Sequence, residues 1–110
     1  MNSPFVINEV KKCYVLTWPT FHDIRGNEGC YKLLELLFEK IKVNEAQLIL
    51  DKDQYVTINA SLWYGNYGDR YSEWLMSQYN ILGVIFKEKS HAEYLQDYLE
   101  KKYIWRLLKM

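Results

Sequence analysis

The sequence predicts an α+β domain: one antiparallel sheet with helices packed on a single face. Two observations carry this expectation. Residues 28–42 form an amphipathic stretch at helical spacing, and residues 55–64 alternate between an apolar and a polar face. A strand with one dry and one wettable side suits an antiparallel sheet covered on one face only.

In "KCYVLTW", Tyr14, Leu16 and Trp18 alternate with Cys13, Val15 and Thr17, the period of a strand, and Pro19 ends it. The loop "PTFHDIRGNEG" supplies two glycines, with Asn27 as a cap for the first helix. Cys30, Leu33, Leu34, Leu37, Phe38 and Ile41 then recur at spacings of three and four, with Lys32, Glu35, Glu39 and Lys40 mostly opposite.

Next comes "AQLIL", a short strand, and "DKDQ", a reversal in which aspartates bond their own backbone. In the long strand "YVTINASLWY", Val56, Ile58, Ala60 and Leu62 take one side, while Tyr55, Thr57, Asn59, Ser61 and Trp63 take the other. Tyr71, Trp74, Leu75 and Tyr79 predict a short helix capped by Asp69. "ILGVIFK" has strand length, and "SHAE" has the form of a capping box opening a helix through Lys101. Residues 103–110 are expected as a further helix or an extended segment.

The order β-α-β-β-α-β-α, with a tight turn between the second and third strands, is the split βαβ or ferredoxin-like plan. It implies four strands, helices on one face, and one compact domain over residues 1–110.

The totals exclude several classes. A chain of 110 residues fits one core and hides roughly two-thirds of its unfolded surface. Fourteen basic and fourteen acidic side chains leave no net field for a polyanion. Basic residues gather in the last quarter, but Glu88, Glu93, Asp97 and Glu100 interleave with them. The N-terminus lacks the basic and apolar regions of a secretory signal, and no apolar run reaches the length of a membrane span. Cys13 and Cys30 have neither zinc nor disulfide spacing, so a reducing cytosol is the expected compartment.

Candidate chemistry is sparse. His22, Asp23, Arg25, Asn27 and Glu28 precede a helix, where an anion could sit, but no Walker spacing is present. The strands before this loop and before the tyrosine-rich one run in opposite senses, so the two loops leave at opposite ends of the sheet. His91 has no metal-ligating companions by spacing. Cys30, near a helix start, reads as a small buried hydrophobe, with a reactive thiol as the sharper alternative.

The compositional skew is aromatic, 10 tyrosines and 4 tryptophans, and it peaks in "WYGNYGDRY". Tyrosine, tryptophan, glycine, asparagine and arginine are the residues of recognition loops and interface hot spots. The expected contact patch is Tyr55, Trp63, Asn66, Tyr67, Asp69 and Arg70. The expected function is a small non-catalytic protein-binding module of the inhibitor or immunity kind, as in phage or toxin-neutralising systems, without cofactor or metal. It would cover a partner protein. The alternative is single-stranded nucleic acid on the open sheet face, although the aromatic RNA-recognition signature is absent. Homodimerisation through the same face is the third option.

Overall fold

A computed structural model describes residues 3–19 and 26–102. Five strands, β1 (Val6–Val10), β2 (Cys13–Thr17), β3 (Glu45–Leu50), β4 (Tyr55–Asn59) and β5 (Ile81–Phe86), form one open sheet in the order β1-β2-β5-β3-β4. Every neighbouring pair is antiparallel. The helices are α1 (Gly26–Glu35), α2 (Ala60–Leu62), α3 (Gly68–Gln78) and α4 (Lys89–Lys102).

The expected α+β class and two-sided sheet are present, with five strands among the described residues where four were expected. β5 lies between β2 and β3, and β3 lies between β5 and β4. Each β-α-β unit is thus split by a strand from the other, and β5 bridges two hairpins made earlier.

The additional strand is β1. Val10 pairs with Cys13 across a two-residue turn, with Lys11 at φ 49° and Lys12 at φ 66°. Both are left-handed, as in the I′ turn that matches strand twist. Asn-Gly favours that turn; two lysines conceal it. A side chain in this region is strained by roughly 1 kcal/mol. Lys12→Gly should therefore raise stability by about 0.5–1 kcal/mol, read as a higher urea midpoint at unchanged slope.

β4 stops at Asn59, short of the expected end at position 64. Asn59 pairs with Glu45, the first residue of β3, so no ladder partner remains beyond it. The chain turns helical: Ala60 N–H donates to the Asn44 carbonyl at 2.9 Å, α2 begins, and a π-helical turn at Trp63–Tyr67 leads straight into α3. "WYGNYGDRY" is accordingly helical throughout, despite Gly65 and Gly68. Asp69 lies inside a helical run and does not cap one. Ser90 likewise falls within the first turn of α4, where the Ala92 amide donates to the Glu88 carbonyl.

The expected first helix is present as α1 plus a π-helical turn at Leu36–Lys40, where Ile41 N–H reaches back to the Leu36 carbonyl. Its stripe packs as predicted: Cys30, Leu33, Leu34, Leu37 and Phe38 are buried, with Ile41 against them. They meet Leu16, Leu48, Ile58 and Val84 of the sheet, Leu75 of α3, and Ala92, Leu95 and Leu99 of α4 in one core. Trp18 closes its margin, donating from Nε1 to the Ile81 carbonyl at 2.9 Å. Phe5 is pinned there too, its carbonyl accepting from Gln96 Nε2 at 2.9 Å.

Candidate functional site: the uncovered face of the sheet

Register defines which side chains share a face, because directly paired residues point the same way. The row Ile7, Leu16, Val84, Leu48, Val56 faces the helices. The next row, Val6, Thr17, Gly83, Ile49, Tyr55, faces away from them, as does Asn8, Val15, Ile85, Gln47, Thr57. Val10, Cys13, Glu45 and Asn59 complete the uncovered side. None of these residues belongs to the core or packs against it.

This face is weakly polar. Val15, Ile85 and Ile49 give it an aliphatic centre, Val6 and Val10 lie at the two ends of the edge strand β1, and Glu45 brings the single carboxylate of the described strand positions. No lysine or arginine lies in these rows. Charge is displaced to the two ends. Exposed Lys11, Lys12, Lys42, Lys87 and Lys89 gather at the end holding the β1–β2 turn and the start of α4. There a shallow depression of about 500 Å³ opens, lined by Lys42, Glu45, Gln47, Lys87, Glu88 and His91 among others. The opposite end carries the β3–β4 turn with Asp51 and exposed Asp53. Asp51 accepts from Asn80 Nδ2 at 2.9 Å, and Lys52 turns away from the face to donate to the Gln78 carbonyl at 3.1 Å.

Two members of the expected patch fall on opposite sides of the sheet. Tyr55 opens β4 on the uncovered face and is 70% exposed. Trp63 was expected to be exposed beside it and is not: its indole is 8% exposed, in the helical layer, 4.9 Å from the Tyr31 ring and 5.8 Å from Phe38. The cause is the early end of β4, since a helical turn directs Trp63 onto α1 where an extended strand would direct it outward. Tyr64 keeps an exposed ring while its hydroxyl donates to the Phe38 carbonyl at 2.8 Å. Arg70 is exposed on α3. Asn66, Tyr67 and Asp69 have helical backbones, and their side chains lie outside the described residues, as do His22, Asp23, Arg25 and residues 103–110. Val15, Ile49 and Ile85 were missed as candidates; their alternation with buried neighbours is the signal that could have found them.

Nothing in the described residues converges as a catalytic set would. The last residues of β2 and β4, Thr17 and Asn59, stand at opposite ends of the sheet. His91 lies 3.3 Å from Glu88 and edge-on to Phe86. Among the described residues, no cluster of three His, Cys, Asp or Glu could hold a metal ion, and no helix is long and apolar enough to cross a membrane.

The cysteines differ in kind. Burial pushes the Cys30 thiol from its ordinary 9.0 up to about 12, whereas Cys13 is half-buried on the uncovered face. In the native state Cys13 should alkylate first. A thiol is charged when deprotonated, so at high pH the folded chain retains a proton that the unfolded chain has lost. Stability is insensitive to Cys30 below pH 9 and falls from there toward pH 12, by up to about 1.4 kcal/mol per pH unit. Between about pH 8 and pH 10, urea melts of the wild type should lose about 1 kcal/mol more than those of Cys30→Ala.

No protein-family model matches this chain, and no curated protein or solved structure matches it.

Proposed function

We propose that this chain is a non-catalytic protein-binding module whose contact surface is the uncovered face of the sheet. The carrying observation is the centre of those rows: the neighbouring aliphatic side chains Val15, Ile85 and Ile49, set among small polar ones, nearly free of charge and framed by charged ends. Contiguous apolar surface left open to water marks interaction sites, and depletion of charge at the centre of a patch is what distinguishes an interface core. In this reading the protein acts by occupying a partner's surface, in the manner of an inhibitor or immunity protein. The aromatic patch contributes Tyr55 at the rim.

Single-stranded nucleic acid is the weaker reading. Base stacking needs aromatic platforms along central strands, and β2, β5 and β3 present aliphatic and small polar side chains on this face, with Tyr55 at its margin. An open antiparallel sheet with helices on one face supports it only at the level of architecture.

The test is partner capture by the wild type and by Ile85→Glu, which places a carboxylate at the centre of the face. A stoichiometric partner retained by the first and lost by the second is the expected result. Equal capture by both would move the contact elsewhere. A salt-dependent shift of labelled single-stranded RNA, abolished by Tyr55→Ala, would favour the nucleic-acid reading instead.

A further inference from the structure

We infer that the uncovered face is occupied by a second copy of this chain, packed face to face as a two-fold symmetric sandwich. The inference rests on the reading of that face as a protein-binding surface and names the protein that binds it.

The first argument is area. Five strands of about five residues span roughly 24 Å by 17 Å at ordinary strand spacing and rise. That is on the order of 400 Å² in plan per copy, and a corrugated contact of two such faces buries roughly 1,000–1,200 Å², the lower limit for a specific dimer. An interface of that size belongs to the weak, reversible class.

The second argument is charge. The chain carries no net charge, so two copies do not repel at long range, and the face itself carries only Glu45 in its described strand positions. Its two ends differ in sign. Exposed Lys42 and Lys87 mark the end where β3 starts and β5 finishes; exposed Asp53 marks the β3–β4 turn at the other, where the Asp51 carboxylate is turned inward onto Asn80. A two-fold axis lying in the interface and perpendicular to the strands reverses strand direction while keeping each strand over its own copy. The lysine end of one copy then lies over the aspartate turn of the other, twice by symmetry. A two-fold axis along the strands would set lysines against lysines. The charge pattern therefore selects one packing.

Sedimentation equilibrium across about 5–500 μM covers the range of weak dimers. The wild type should associate to a dimer and no further. Ile85→Glu and Thr57→Arg, the latter at an exposed edge position that leaves the fold intact, should each weaken the dimer at least about thirtyfold. Lys87→Glu should weaken it about threefold to tenfold, with Asp53→Lys restoring most of the loss in the double variant. A wild type that stays monomeric throughout overturns the inference; the protein-binding reading then stands on capture of a different protein that Ile85→Glu abolishes. A dimer indifferent to both Ile85→Glu and Thr57→Arg also overturns the inference, because the copies then meet through another surface.

Discussion

Trp63→Ala should lower the stability of this protein by about 3–5 kcal/mol, a large part of the roughly 5–15 kcal/mol a domain possesses. The indole is buried between Tyr31 and Phe38 of the first helix. Truncation removes those ring contacts and leaves a void that Leu37 and Phe38, already packed on the sheet, cannot fill by small shifts. The Tyr64 hydroxyl bond to the Phe38 carbonyl depends on the same helical turn and should loosen with it. Urea denaturation measures the loss, and Tyr55→Ala provides the contrast: at 70% exposure it should change stability by less than about 0.5 kcal/mol. Similar losses from the two variants would place Trp63 at a surface.

Gly83→Ala should cost about 3 kcal/mol, toward the upper end for an overpacked site. A β-carbon there would stand 2.5 Å from the Leu16 carbonyl oxygen, a backbone atom in the adjacent strand's ladder. It would also press on Ile49 Cδ1 and Thr17 Cγ2 at 3.1 Å. Those side chains can rotate, but the carbonyl can yield only by separating β2 from β5 at the centre of the sheet. Thermal melting should show a clear drop, and amide exchange should quicken in β2 and β5 before β4. A Gly83→Ala variant as stable as the wild type would mean the two strands sit farther apart than described.

Much of this architecture was legible because its signals are local. Leu33, Leu34, Leu37 and Phe38 announce a helical face by spacing alone, and Ala46, Leu48 and Leu50 announce a strand. β1 was hidden because its turn carries Lys11 and Lys12 where asparagine and glycine would have marked it. The end of β4 was hidden because Val56, Ile58, Ala60 and Leu62 keep a period of two past Asn59; only the length of β3, the partner strand, shows that the ladder stops. Strand order was not legible at all, since the insertion of β5 between β2 and β3 depends on packing between residues distant in sequence. The same misplaced boundary misled the site. Trp63 counted as an outward strand residue shares a surface with Tyr55, whereas Trp63 on a helical turn lies across the sheet from it.

The bridging position of β5 has a consequence for how the chain acquires its shape. A ribosome that has released residues up to 80 has produced β1, β2, β3 and β4, two separate ribbons, each with an unpaired inner border awaiting the same late segment. Until Ile81–Phe86 emerges and enters between them, neither ribbon can shelter its apolar side fully, and each border is open to capture by another nascent strand. Conversion to the finished sheet is therefore a single late event that closes contacts across most of the chain, with the slow rate that such distant pairings impose.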